Sequence, residues 1–244
     1  MKKKIVAVLP AYNAGRTLKK TYDDIPKDIV DEIILVDDKS ADRTVEIAKN
    51  LGINVFVHDK NKGYGANQKT CYEKALEAGA DITIMIHPDY QYDPKVVPDL
   101  VLPIQKGEAD ACFGSRMIKK RRAIIGGMPR WKFYANIFLT AFENVVLGMN
   151  LTEYHSGFRA YSRKYLESVN FGLNSDDFIF DTEIIIQGKL HNMRIKEVPI
   201  NTRYFEGAST IGFGKSVQYG LKIALTMVKY MLYIRGVFRS EQFG

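Results

Sequence analysis

The stretch Ile82–Pro94, ITIMIHPDYQYDP, decides how the chain is read. Its opening is a short apolar run bounded by turn residues, the pattern of a buried strand. The run breaks into His87, Pro88, Asp89, Tyr90, Gln91, Tyr92 and Asp93, several of them potential metal ligands. A buried strand that delivers such groups at its carboxyl end is the usual layout of a site on the edge of an α/β sheet.

The flanking segments keep the same rhythm. Ile5–Leu9 reads as a strand closed by Pro10, Gly15–Ile25 as a helix and Glu32–Val36 as a second strand. Ser40 is expected to cap a helix that runs through Leu51 and stops at Gly52. A third strand at Ile53–His58, a glycine-bearing turn at Lys62–Gly65 and a helix from about Ala66 to Ala78 lead back to the opening strand. Beyond Pro94 come a helix to about Lys106 and a strand at Ala109–Ser115. This alternation predicts an α/β fold built on a mostly parallel sheet covered on both faces.

From Lys119 the character changes. KKRR, Lys119–Arg122, reads as a basic loop that leads through a Gly/Met/Pro turn into an aromatic-rich helix, Arg130–Leu147. Tyr154–Ser162 reads as extended, Phe178–Leu190 as a helix and Arg194–Pro199 as a strand. The last helix, Lys215 to about Arg235, is amphipathic: Leu221, Ala224, Leu225, Val228, Met231 and Leu232 share a face that excludes Lys222 and Lys229. The expected organisation is a catalytic unit over 1–212, with 119–150 facing a membrane or an acceptor, and an amphipathic helix and tail over 213–244.

Bulk properties narrow the classes. At 244 residues, 46% hydrophobic and 26% charged, the chain has the make-up of a folded protein, not a disordered one. A net charge of +7 points to an anionic partner: nucleic acid, a membrane surface or a phosphorylated substrate. The basic residues are dispersed and no nucleic-acid motif is present, so nucleic acid is not expected. Cys71 and Cys112 have neither metal-binding nor disulfide spacing, which suits a reducing cytosol. The start MKKKIVAVLPAYN is too short in its apolar run for a signal peptide. No stretch approaches the roughly 20 apolar residues of a membrane span, so the expectation is a cytoplasmic protein that is not integral.

Several motifs admit two readings. Gly63 and Gly65 lack the third glycine and the position of a dinucleotide loop; they read either as a helix-opening turn or as a phosphate or ribose contact. Asp37 and Asp38 end the second strand, where a carboxylate can accept from ribose hydroxyls or base N–H groups, or simply cap a helix entry. His87, Asp89 and Gln91 fall at alternate positions, and on an extended segment they would point to one side. Arg116, at the end of a strand, suits bidentate phosphate binding or a surface ion pair. The KKRR cluster and the aromatics after it fit an anionic membrane surface, and core packing explains the aromatics equally well. Asp181 and Glu183 read as acid/base groups or as acids favoured at a helix start.

Taken together, LPAYNAGRTL, EIILVDDKSADRT, NKGYGANQ, HPDYQYDP, FGSR, YHSGFRAYSR, FDTEI and EVPI resemble the family-two glycosyltransferases of the GT-A fold, over nearly the whole chain. FGSR, GGMPRWK and HSGFRAYSR look most like the branch that includes dolichyl-phosphate mannose synthase and bacterial enzymes acting on polyprenyl phosphates. The resemblance implies inverting transfer from a UDP- or GDP-sugar. Asp37 and Asp38 would sit by the nucleoside with Pro10, Tyr12 and Asn13. His87, Asp89 and Gln91 occupy the metal-binding segment, for manganese or magnesium. Arg116, with Arg130 or Lys132 and Arg159, would hold acceptor or donor phosphates, Ser156 would contact substrate, and Arg203 would close over the diphosphate. The first acid of the family's Asp-x-Asp pair is His87 here, and imidazole suits manganese or zinc better than magnesium. The C-terminal transmembrane helices of some relatives are missing, so peripheral contact with the inner face of the cell membrane is expected, or a homodimer through the last helix.

Charge dictates the chemistry that follows. A phosphate monoester acceptor is already anionic near neutral pH and needs little base catalysis, so positioning and charge neutralisation carry the reaction. A sugar hydroxyl would need a base, for which Asp181 and Glu183 are the candidates. The alternatives are elongation of a lipid-linked glycan or surface polysaccharide, and a catalytically silent nucleotide-sugar binding module.

Overall fold

A computed structural model describes residues 2–203 and 212–244. Most of the expected loop TRYFEGAST beyond Arg203 therefore lies outside the described residues. Seven strands form one sheet among them: β1 (Ile5–Ala11), β2 (Glu32–Asp37), β3 (Asn54–Val57), β4 (Ile82–Met85), β5 (Ala111–Ser115), β6 (Arg159–Ser162) and β7 (Ile195–Pro199). Their order is β3-β2-β1-β4-β6-β5-β7. Every pairing is parallel except those of β6, which runs against both β4 and β5. The reversal follows from where the chain re-enters the sheet. β5 ends at the site edge, and Phe158 comes back beside it, its carbonyl accepting from Gly114 N at 2.8 Å. A strand entered from that edge must run the opposite way.

The helices are α1 (Leu18–Asp24), α2 (Thr44–Asn50), α3 (Tyr64–Glu77), α4 (Val97–Gln105), α5 (Lys120–Ile125), α6 (Arg130–Leu147), α7 (Arg163–Ser168), α8 (Phe180–Leu190) and α9 (Phe213–Ile234). Alternation along β1 divides the core. Val6 and Val8 face one layer with residues of α3, α8 and α9; Ile5, Ala7 and Leu9 face another with α1, α2 and α4. Ile223, Met227, Tyr230 and Phe243 join the first layer, so the C-terminal helix packs as part of the main core.

Three expectations change. Ser40 caps no helix: its amide and hydroxyl both bind Asp37, at 2.8 and 2.5 Å, and α2 begins only at Thr44. KKRR is not wholly a loop, because α5 starts at Lys120. Tyr154–Ser162 becomes a strand only from Arg159. The face of α9 named above is the outward one: Ile223, Thr226, Met227 and Tyr230 are buried, while Leu221 and Leu225 are 62% and 63% exposed. α9 is apolar on two sides, and periodicity alone does not tell which side the protein covers. No helix among the described residues is long and apolar enough to cross a membrane.

Candidate active site

A cavity of about 550 Å³ opens where β1, β2, β4 and β5 end, and extends beneath α6 and α9. At one end it is lined by Pro10, Tyr12, Asp38, Asn61 and Gly63. Asp38 is held rigidly: Oδ1 accepts from His58 Nδ1 (2.7 Å) and Lys62 N (2.8 Å), and Oδ2 from Gly63 N (2.9 Å). Gly65 sits where a Cβ would come 2.2 Å from Ser175 O. Its absence lets the 175–177 loop lie against the start of α3, and Gly65 N donates to Asp176 O at 2.8 Å.

At the centre stand His87, Asp89 and Gln91. They do not lie on an extended segment: the chain turns after β4, and Tyr90 adopts a left-handed φ of 59°. The turn carries Tyr90 away to Asp24, its hydroxyl donating at 2.5 Å, and leaves the other three on the cavity wall. Burial pushes the His87 imidazole down and the Asp89 carboxyl up, and each charge opposes the other's shift. Tyr64 stacks on His87 at 5.6 Å and donates to Asp181 Oδ2 at 2.9 Å. Asp181 Oδ1 also faces Gln68 Nε2 and Arg159 Nη1, both at 3.3 Å. Gly157 is required here too, because a Cβ would fall 2.6 Å from His87 Nε2.

The third part is cationic and aromatic: Arg116, Trp131, Lys132, Asn136, His155 and Tyr219. The buried Glu153 carboxylate holds Arg116 through Nε at 2.7 Å, Nη2 and the Arg116 amide, and also accepts from Asn136. Burial pushes the Glu153 carboxyl up, but Arg116 overrides it and keeps the acid below the usual range. Arg116 Nη2 donates to His155 O as well, at 3.1 Å.

Of the residues named from sequence, Pro10, Tyr12, Asp38, Gly63, His87, Asp89, Gln91, Arg116, Lys132 and Asp181 line this cavity. The others stand elsewhere. Asp37 is turned into the Ser40 loop. Asn13 bridges the same loop, its Oδ1 accepting from Ala41 N at 2.8 Å. Gly65 is covered by the 175–177 loop, and Arg130 is exposed at the head of α6. Ser156 is buried behind the wall. Arg159 is also buried there, and donates to the carbonyls of Tyr154, Ser156 and Asp181. Burial works against its charge, and Asp181, Tyr161 and Tyr64 together outweigh it and hold the guanidinium protonated. Glu183 accepts from Ser175 N and Oγ. Arg203 pairs with Asp93 at 2.9 Å and lies over the Tyr90 ring, not over the cavity.

Tyr64, Asn136, Glu153 and Tyr219 were not anticipated as site residues. Glu153 carried only a faint signal, as an acid two residues before HSGFR. Tyr219 carried none, because its helix joins the site only in three dimensions.

Comparison with known proteins agrees with this fold. The family model described as "Glycosyl transferase family 2" matches residues 6–169. An uncharacterized protein of Methanocaldococcus jannaschii is 33% identical over 232 residues, 95% of this chain and 94% of that one. The UDP-N-acetylglucosamine–dolichyl-phosphate N-acetylglucosaminyltransferase of Methanococcus voltae is 30% identical over 238 residues, 91% of this chain and 93% of that one. Among solved structures, glucosyl-3-phosphoglycerate synthase of Mycobacterium tuberculosis with phosphoglyceric acid has a TM-score of 0.72 at 23% identity, covering 93% of this chain and 80% of that one. Its complex with Mn2+, UDP-glucose and phosphoglyceric acid gives 0.71 at 22%, covering 98% and 82%. The fold is therefore GT-A, and the chain belongs to glycosyl transferase family 2.

Proposed function

We propose that the protein is an inverting transferase that moves a sugar from a UDP- or GDP-sugar to a polyprenyl-type phosphate at a membrane surface. The observation that carries this reading is the continuity of the cavity. It runs from the Asp38 end, suited to a nucleoside, past Asp89 to a cationic lobe under α6 and α9. The outer sides of those two helices are apolar: Tyr134 and Phe138 on α6, and Leu221, Leu225, Val228 and Leu232 on α9, are exposed. α9 contains no acidic residue and carries Lys215, Lys222 and Lys229 at seven-residue intervals. An anionic bilayer surface is the occupant that suits both features. The name of the Methanococcus voltae relative supports a dolichyl-type phosphate acceptor.

The contacts of Asp181 favour a phosphate over a sugar hydroxyl. Its oxygens face Tyr64, Gln68 and Arg159, so both are engaged by groups of the protein itself and not turned to an acceptor hydroxyl. A phosphate acceptor held by Arg116 and Lys132 needs no base; its oxygen attacks the anomeric carbon as the diphosphate departs. His87, Asp89 and Gln91 are the residues that would hold a divalent cation. Among the described residues no group of three or more His, Cys, Asp or Glu side chains is placed to hold one alone. The set fits an ion whose coordination is completed by the donor, and imidazole favours manganese over magnesium. When bound, such an ion neutralises charge on the leaving diphosphate.

Arg116→Ala is a poor test, because it strands the buried Glu153 charge. Lys132→Gln and the paired change Arg116→Gln/Glu153→Gln avoid that. Transfer from a panel of nucleotide sugars to dolichyl phosphate is expected to fall about 10²-fold or more in both variants, with donor affinity kept within a few fold. Unchanged transfer in both would sink the phosphate-acceptor assignment.

A further inference from the structure

Beneath the cationic lobe lies a couple that the transfer step does not use. Glu143, on the inner side of α6, is wholly buried. Its Oε1 accepts from Thr182 Oγ1 at 3.3 Å, and its Oε2 lies 3.2 Å from His155 Nε2. Neither Glu143 Oε2 nor His155 Nε2 has a well-formed hydrogen bond among the described residues. His155 itself lines the cavity, with Nδ1 3.3 Å from the Tyr219 hydroxyl on α9. A bare carboxylate oxygen and a bare imidazole nitrogen are both costly in a dry interior, and one proton between them satisfies the two together. Burial pushes the Glu143 carboxyl up to about 8 and the His155 imidazole down to about 4, so the proton belongs to the carboxyl and the imidazole is neutral.

The charges around the couple come from several elements. Arg116 lies at the end of β5, Lys132 on α6, Glu153 on the loop before β6, Arg159 on β6 and Asp181 on α8; Tyr154, Tyr161 and Tyr219 stay neutral. While the couple keeps its proton, Arg116, Lys132 and Arg159 outweigh Glu153 and Asp181 by one positive charge. Loss of the proton cancels that surplus.

We propose that Glu143 and His155 share one proton, and that an anion at the Arg116–Lys132 end of the cavity binds preferentially to the protonated couple, making acceptor-phosphate binding proton-linked. The proposal rests on the reading of that lobe as the acceptor-phosphate site. Rising pH removes the proton, adds a buried negative charge and weakens anion binding. By linkage, a bound anion draws a proton from solvent. The prenyl monophosphate contributes little to this itself, because a phosphate monoester loses its second proton near pH 6; inorganic phosphate still titrates at the lower end of the range, so its own protonation is measured without protein and subtracted.

Trp131, the only tryptophan, lines the cavity and supplies a fluorescence signal. Binding of inorganic phosphate and of a short-chain prenyl monophosphate would be followed between about pH 7 and about pH 9. Calorimetry in two buffers of different ionisation enthalpy would count protons. In the unmodified protein, affinity is expected to fall about tenfold across this range, as one buried charge gives at an effective dielectric near 20. Uptake of a proton is expected near pH 8, and Glu143→Gln should flatten the profile and abolish the uptake. Binding without proton exchange, or an unchanged slope in Glu143→Gln, overturns the proposal; the unmodified protein decides it even if the variant folds poorly. Tight prenyl-phosphate binding with no proton uptake would sink the linkage and spare the acceptor reading. Proton-linked phosphate binding with no gain from the prenyl chain would do the reverse, and binding of neither anion would end both.

Discussion

Gly157 and His87 come from distant parts of the chain and occupy one volume. Gly157→Ala is expected to cost about 1–3 kcal/mol of stability, as overpacking does, because the imidazole is fixed against Tyr64 and cannot swing clear. Combined with His87→Ala, most of that cost should disappear, leaving a coupling energy of about 0.5–3 kcal/mol in a double-mutant cycle read by denaturant unfolding. Additive losses would show that the crowding is relieved some other way. Such pairs mark the limit of what the residues disclose in one dimension. Asp37 and Asp38 are neighbours of identical chemistry, yet the first is spent on Ser40 and the second faces the cavity. Period-two alternation decides that only once the strand's end is known. His87, Asp89 and Gln91 do reach one wall, but through a left-handed turn at Tyr90 and not through extended spacing.

At the scale of elements, the strands and most helices were legible because their apolar periods are strong and their breakers are Gly and Pro. The direction of β6 was not, because RAYS carries no mark of the neighbours it inserts between. Which side of α9 turns outward was not legible, because the helix is apolar on both sides and only packing against α6 and α8 selects one. That exposed face makes its own prediction. Leu221→Glu/Leu225→Glu should leave the melting temperature within a few degrees, since both side chains face solvent. Co-sedimentation with anionic liposomes should fall several-fold, and a loss of several-fold is also expected when salt is raised to about 0.5 M. If the variant instead changes only the oligomeric state, the face belongs to a second copy of the chain.

On the scale of the whole molecule, the site is gathered from the ends of four strands and roofed by two helices whose outer surfaces are apolar. Asp38, Asp89 and Arg116 could be proposed from one sequence because each follows a buried strand. Asn136 and Tyr219 could not, because the roof that holds them is assembled by tertiary packing. The placement of that roof has a consequence for kinetics. If α6 and α9 rest on a bilayer, the donor arrives from three-dimensional solution while the acceptor arrives by lateral diffusion in two dimensions. Its effective concentration is then a mole fraction of the membrane, not an amount per litre. Diluting the acceptor with inert lipid at fixed total acceptor should slow turnover in proportion, whereas diluting the whole suspension should not once the protein is fully bound. Initial rates at constant donor distinguish the two, and equal sensitivity to both would mean that the acceptor is taken from solution.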